Sequence, residues 1–408
     1  MRGMVEVLGD PQRDYPVLHL TGTNGKGSTA RMVTELLAAH HLSVGTYTSP
    51  HLEHVTERIA RNLEPIDPED LAAVLGEIAG LESQAFFSRS PTHFELLTAA
   101  GLAWFSQVAV DVAVVEVGLL GRWDPTNVVD GQVAVVTNVG HDHTDGVGDW
   151  RRRVAAEKAG IVKPGSHLVL GETEPGLREL FTAEGPSQVW VRDEDFGVVT
   201  DRLALGGHVV DMRTPYGQHE EVFLPVHGSH QADNAALAVA SVEAFFGRAL
   251  APDVVAEAFA ALRLPGRFEV VHRAPLVVLD GAHNPDGARA AGATLADEFE
   301  VAGTRHWVIG VLSGRDAGGM LDALGLRPGD RVVTTTPPSP RGVPAAELAA
   351  LVAARGNPVE AEPDVDAAVE RAWRAAEAAG EGDMVMVTGS LYTVGAARTA
   401  CRRLGLLG

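Results

Sequence analysis

The segment PVLHLTGTNGKGSTARMV, residues 16–33, constrains this chain more than any other. A short apolar run passes into a loop carrying Gly22, Gly25 and Gly27, then into a helix-like pattern opened by Ser28 and Thr29. Glycines let consecutive backbone N–H groups point at one anion, Lys26 supplies a cation, and the helix that follows presents its positive end. The order strand, glycine-rich loop, helix therefore predicts a phosphate-binding turn. The spacing is unusual, because Gly27 separates Lys26 from Ser28. A tight strand-to-helix turn with a solvated lysine is the plainer alternative.

The same alternation continues along the chain. LSVGTYT, VDVAVVEVGLL and GQVAVVTNVG are apolar runs separated by helix-like stretches. Continuous apolar strands between helices predict a parallel sheet covered on both faces. Residues 187–225 lose the helical pattern and read as short strands with turns, and HQADNAALAVASVEAFFG then reads as a helix. After LPGRFEVVHRAP a second series begins, with strands expected at PLVVLDG, HWVIGVL, DRVVTTT and MVMVTGS. A chain of 408 residues is too long for one typical core. The expected fold is α/β, in two parts. A P-loop-type parallel-sheet ATPase domain takes residues 1–265, and a smaller Rossmann-like domain takes residues 270–408.

Charge and cysteine content narrow the function. Lys and Arg number 33 against 54 Asp and Glu, a formal net charge of −21. So acidic a surface does not attract a polyphosphate backbone, so no nucleic-acid partner is expected. The single cysteine, Cys401, excludes an internal disulfide framework and a cysteine metal cluster. No apolar run reaches membrane-spanning length and the first residues lack the apolar core of a signal peptide. The expectation is a cytoplasmic protein without a membrane partner.

Three further residues suit a cation beside the phosphate loop. Glu116 ends an apolar strand, where a carboxylate is costly unless paired or metal-bound. Ser49 follows the SVGTYT strand and His143 follows VAVVTNVG. If these strand ends converge, they offer donors to Mg²⁺, which bridges phosphates and keeps several waters. Each also fits a plainer role: Ser49 capping the turn before Pro50, Glu116 in an ion pair, His143 solvated in a loop. Lys158, beside Glu157, reads as an ordinary helix lysine. In the second part, Asp280 follows PLVVL and opens DGAHNP, a carboxylate placed to accept ribose hydroxyls. Arg267 is a permanently charged donor suited to a phosphate. AHNPDG equally suits an Asx or proline turn.

TNGKGST resembles the ATP loop of the Mur ligase superfamily, in the form carried by folylpolyglutamate synthase and dihydrofolate synthase. YTSPHLEHVTERI, VAVVEVGLLGRWDPTNVV, TNVGHDHT, EKAGIVKPG, GSHQADNAALA, LPGRFEVV, LDGAHNPDGARA and MVTGSLYTVGAAR match that family in order, over residues 16–398. The resemblance implies an ATP-dependent amide ligase: a folate-type carboxylate attacks ATP to give an acyl phosphate, and the amine of L-glutamate displaces phosphate. It implies ATP contacts at Thr23, Asn24, Gly25, Lys26, Gly27, Ser28, Thr29, Asn234, Arg267, Asp280 and His283. It implies metal positions at Ser49, Glu116, His143 and Lys158, for two Mg²⁺ ions, with a CO₂-derived carbamate on Lys158. Lys26, Glu116, His143 and Lys158 would then carry catalysis. Substrate positions are implied at His51, Glu57, Arg58, Phe94, Arg122 and Asp124, with Ser390 and Tyr392 on the glutamate side. A monomer is expected.

The sequence also departs from that pattern. Leu120 and Pro125 stand where the family has Gly and Ala in GLGGRxDATN, His141 replaces a leucine, and Thr56 replaces an asparagine. The chain begins just before the first strand, where relatives usually carry a further N-terminal segment. These differences fall near the acceptor side. They leave open a Mur-type ligase with a non-folate acceptor. A nucleotide-binding protein without turnover would be expected to lack Lys26, Glu116 or His143, and all three are present.

Overall fold

The computed structural model describes residues 1–83, 90–141 and 146–407. The chain divides into two compact units. One comprises Met1–Pro225 and Gln231–Leu262, the other Val226–His230 and Arg263–Gly408. The division differs in detail from residues 1–265 and 270–408, because the short Val226–His230 segment belongs with the second unit.

The first unit is built on an eight-stranded sheet: β1 (Val17–Thr21), β2 (Val44–Tyr47), β3 (Ile59–Arg61), β4 (Glu64–Pro65), β5 (Val112–Glu116), β6 (Val133–Val136), β7 (His167–Leu170) and β8 (Gln188–Val191). Their spatial order is β4-β3-β2-β5-β1-β6-β7-β8. The six strands from β2 to β8 in that order run parallel, and β3 and β4 add an antiparallel edge. All five residues of β1 and all five of β5 are buried, which is why these strands read as mostly apolar runs rather than alternating ones. Helix Lys26–Ala39 follows β1 and buries Ala30, Met32, Val33, Leu36 and Leu37, a spacing that lays one apolar stripe on the sheet. Helix His93–Gln107 opens with a reciprocal cap in which Thr92 and Glu95 satisfy each other's backbone N–H. A separate antiparallel sheet follows, β9 (Gly197–Ala204), β10 (Gly207–Thr214) and β11 (Gly217–Leu224), with helix Ser229–Phe246 after it.

The second unit holds β12 (Glu269–Arg273), β13 (Leu276–Leu279), β14 (Arg305–Ile309), β15 (Arg331–Thr334), β16 (Val359–Ala361) and β17 (Met384–Thr388), in the order β12-β13-β17-β14-β15-β16. All neighbours are parallel except β12, an antiparallel edge formed by residues expected only to precede the first strand. Buried Phe268, Trp307, Ile309, Leu348, Val352 and Met386 contribute to its core. No helix among the described residues is long and apolar enough to cross a membrane.

Candidate functional site

In the first unit β1 lies between β5 and β6. The chain leaves β1 for β2 on one side and later reaches β6, β7 and β8 on the other. This reversal opens a crevice at the carboxyl ends of the strands, where ligands of open α/β sheets bind. The segments that leave β1, β2, β5 and β6 bring Gly22–Ser28, Ser49, Glu116 and Thr137–Gly140 to that end.

The glycine-rich loop is clamped by the segment after β6. Thr23 N donates to Asn138 O at 3.1 Å, and Asn24 N donates to Asn138 Oδ1 at 3.0 Å. Thr137 Oγ1 and Asn138 Nδ2 both donate to Asn24 O, at 2.6 and 3.1 Å. Gly140 N donates to Thr23 Oγ1 at 2.9 Å. Gly22 has φ +153°, and a Cβ there would lie 1.7 Å from Thr137 Oγ1, so this clamp requires glycine. Gly25 caps helix Lys26–Ala39 in the left-handed region at φ +82°. A Cβ on it would stand 2.5 Å from Asn234 Oδ1, which places Asn234 against the loop. Asn234 also accepts from Thr29 Oγ1 at 3.4 Å and donates through Nδ2 to Gln231 Oε1 at 3.0 Å. The amides of Lys26, Gly27 and Ser28 form the first helical turn, where N–H groups have no intrahelical acceptor. The Lys26 ammonium folds back and donates to Gly22 O at 3.1 Å and Thr23 O at 3.3 Å. Thr23, Ser28 and Thr29 are buried.

Glu116 is buried at the end of β5, and its Oε2 accepts from Ser49 N at 3.1 Å. A Cβ on Gly27 would lie 3.6 Å from the same oxygen, so the carboxylate faces the first turn of the helix. Lys158, on helix Trp150–Ala159, is 3% exposed. Burial, with the nearby positive Lys26, holds its ammonium well below the usual lysine range. Among the described residues, no group of three or more His, Cys, Asp and Glu forms a ready metal cluster. One buried carboxylate beside hydroxyls and a phosphate loop suits Mg²⁺, which takes one or two protein carboxylates together with phosphates and water. His143 lies outside the described residues.

Two segments flank this centre. In the first, the Glu57 carboxylate accepts from the N–H groups of Leu52, Glu53 and His54 at 2.8, 3.0 and 2.8 Å, which fixes the turn after Ser49. Buried Arg58 donates through Nε to His51 Nδ1 at 2.9 Å. Burial and that guanidinium lower the His51 pKa, so the ring is held neutral. In the second, Asp124 is buried and accepts from Thr126 N, Thr126 Oγ1 and Leu119 N at 2.9, 2.6 and 2.8 Å. Desolvation raises its pKa against those bonds. Phe94 packs under Gly118, where a Cβ would meet its Cζ at 2.3 Å, and lies 6.0 Å from the Tyr47 ring. Arg122 turns elsewhere: its guanidinium donates to Ala156 O at 3.0 Å and pairs with Glu184.

In the second unit Arg267, Asp280 and His283 come together after β13. The Arg267 guanidinium lies against Gly281, 2.6 Å from where a Cβ would stand. The Asp280 oxygens accept from Phe268 N and Ala282 N, both at 2.9 Å. His283 Nδ1 donates to Gly281 O at 2.9 Å. Ser390 caps helix Leu391–Arg403, accepting from Thr393 N at 3.1 Å, and Tyr392 sits half-buried in its first turn.

Residue-by-residue reading missed the clamp formed by Thr137 and Asn138. TNVG follows an apolar strand as the glycine loop does, which was the available signal. It also missed Arg151 and Glu172. Arg151 Nε donates to Val139 O at 3.0 Å, and Val139 N donates to Glu172 Oε2 at 2.9 Å, which pins the segment that clamps the loop.

Comparison with known proteins follows the same division. The Mur ligase middle domain matches residues 20–242, and the Mur ligase glutamate ligase domain matches residues 266–391. The chain is 40% identical to the dihydrofolate synthase/folylpolyglutamate synthase of Mycobacterium tuberculosis, over 97% of this chain and 88% of that protein. A structure of M. tuberculosis folylpolyglutamate synthase complexed with ADP and AMPPCP matches with a TM-score of 0.92 at 40% identity, covering 98% of this chain and 93% of that one. The Yersinia pestis bifunctional folylpolyglutamate synthase/dihydrofolate synthase, complexed with AMPPNP and a Mn ion, matches with a TM-score of 0.84 at 32% identity, covering 98% and 92%.

Proposed function

Since the chain belongs to the folylpolyglutamate synthase/dihydrofolate synthase family of Mur ligases, we propose that it is an ATP-dependent ligase joining L-glutamate to a folate-type carboxylate. The observation that carries this reading is the clamped loop Gly22–Ser28 with Lys26 over it and the Glu116 carboxylate facing its helix. Forming an amide from a carboxylate and an amine is uphill in water. Transfer of the γ-phosphoryl group of ATP to the acceptor carboxylate gives an acyl phosphate and ADP, and the glutamate amine then displaces phosphate. The loop amides and the Lys26 ammonium neutralise charge on the phosphoryl group in flight.

Glu116 and the Ser49 hydroxyl are the described groups that would hold Mg²⁺, with His143 as a further donor. When bound, Mg²⁺ supplies charge neutralisation on the phosphates. The buried Lys158 is assigned a carbamate, which would convert a costly ammonium into a second carboxylate for a second ion. Labelled bicarbonate giving a carbamate carbon signal in wild type, absent from Lys158→Ala, tests that assignment. Arg267 is assigned a phosphate contact, His51, Phe94 and Asp124 the acceptor side, and Ser390 and Tyr392 the glutamate side.

The deciding experiment measures ADP release with ATP, Mg²⁺ and L-glutamate, offering dihydropteroate and tetrahydrofolate separately and weighing the products. A product heavier by a glutamyl unit from either acceptor supports the reading and identifies the acceptor. The absence of ADP release with either acceptor, from a protein that binds ATP, overturns it in favour of a non-folate carboxylate.

A further inference from the structure

The segment that clamps the glycine-rich loop is itself held at one residue. Val139 stands between Asn138, whose Oδ1 accepts from Asn24 N, and Gly140, whose N–H donates to Thr23 Oγ1. Charged side chains take both backbone groups of Val139. Its N–H donates to Glu172 Oε2 at 2.9 Å, and its carbonyl accepts from Arg151 Nε at 3.0 Å. The two side chains also join each other. Arg151 Nη2 donates to Glu172 Oε1 and Oε2, at 3.1 and 3.0 Å, and Nη1 pairs with Glu174. Glu172 Oε1 accepts from Glu174 N at 3.0 Å as well, so both oxygens of this carboxylate are occupied. Glu172 is 6% exposed, and a carboxylate so buried is costly to leave without its cation.

These partners come from separate elements. Glu172 follows β7, the strand beside β6. Gly171 allows the close approach, because a Cβ there would strike Thr137 O. Arg151 stands in the first turn of helix Trp150–Ala159, and Lys158 in its last. The separation from 151 to 158 is about two helical turns, so both residues lie on one face of the helix. The guanidinium thus braces the clamp at Val139 against the end of β7 and against the helix that carries Lys158. A lysine would restore the charge but not this pattern. A planar fork meets a carbonyl and two carboxylates at fixed angles, whereas an ammonium is a point charge on a flexible stem.

We infer that Arg151 is a positioning residue for the ATP site, its forked guanidinium setting the phosphate clamp through the backbone of Val139. This rests on the ligase reading above for the identity of the nucleotide. The test uses the full chain as wild type, Arg151→Lys, Arg151→Ala, Glu172→Gln and the double variant Arg151→Ala/Glu172→Gln. ATP binding with Mg²⁺ is measured by calorimetry, and KM is measured for ATP, L-glutamate and acceptor, beside the thermal midpoint.

The expected result is an ATP affinity and a KM for ATP weakened about tenfold in Arg151→Ala and nearly as much in Arg151→Lys. The KM values for glutamate and acceptor should stay within about twofold. The double variant should bind ATP no more weakly than Arg151→Ala, because both changes act on the same residue. If Arg151→Ala does not fold, Arg151→Lys, which keeps a cation beside Glu172, decides alone. Unchanged ATP binding in both variants overturns the assignment, as does an equal rise in all three KM values. A lowered thermal midpoint with ATP binding intact also overturns it and leaves Arg151 as support for the fold. Full ATP affinity in Arg151→Lys overturns the role of the fork. Wild type that binds ATP but ligates neither acceptor sinks the ligase reading alone, and Arg151 is still judged by ATP binding. Wild type that does not bind ATP sinks both.

Discussion

Lys26 lies folded over its own loop, its ammonium on the carbonyls of Gly22 and Thr23, within the electrostatic reach of the buried Lys158. Its charge is therefore held over the glycine-rich loop. Lys26→Ala should lower ADP formation by about two to three orders of magnitude while leaving the thermal midpoint unchanged. Retained turnover would remove Lys26 from the site. Leu120 is a different case. It adopts φ +58°, the left-handed region, at a position where the family pattern has glycine. The side chain pays for this by packing half-buried on the core around Val117, Val136 and Ile161. Relief of strain and loss of packing should nearly cancel in Leu120→Gly, whereas β-branched Leu120→Val should destabilise by about 1–2 kcal/mol in urea unfolding. His19 carries a pH prediction. Complete burial, aided by Lys163, pushes its pKa down to about 3 from 6.5. Between those values the unfolded chain binds a proton that the folded chain does not, so the stability held above pH 6.5 is lost as pH falls toward 3. His19→Gln, which keeps an N–H for Thr126, should flatten that acid limb. An identical limb in the variant would show that other groups set it.

At the scale of elements, the strand-loop-helix unit was legible because its parts are adjacent in sequence. Apolar β1, three glycines and a helix pattern from Lys26 need no partner to be recognised. The reason for Gly22 was not legible, because it lies on another loop: Thr137 Oγ1 occupies the space a Cβ would take. Gly22→Ala should therefore break the clamp, costing about 1–3 kcal/mol of stability and weakening ATP binding in calorimetry. ATP affinity equal to wild type would mean that the clamp does not shape the loop. Arg122 shows the converse. The family resemblance implied a substrate role for it, and in the structure its guanidinium donates to Ala156 O at the end of helix Trp150–Ala159 and pairs with Glu184. Ser390 and Asn284 likewise act as helix caps, a role that a serine or asparagine before a helix advertises locally.

Across the whole molecule, two cores share one chain, and the second recruits a piece of sequence from before the first one ends. His227 packs on Phe268 and Phe299, 6.1 and 4.8 Å between ring centroids, and Glu298 accepts from His227 Nδ1 and Gly228 N at 2.8 and 2.7 Å. A fragment of residues 263–408 lacks this segment and should melt below the matching transition of the full chain, by an amount that His227→Ala reproduces in part. Equal melting would make Val226–His230 incidental. Sequence alone determined the α/β class, the parallel strands, the glycine-rich strand-to-helix turn and the family, because hydrophobic runs, glycine spacing and ordered motifs are properties of neighbouring residues. Tertiary structure alone decided that Thr137 and Asn138 hold the loop, that Glu116 faces Gly27, that Lys158 is buried beside a second lysine, and that Val226–His230 joins the later unit. Those facts depend on which distant segments share a few ångströms, and strand order, not strand sequence, sets that.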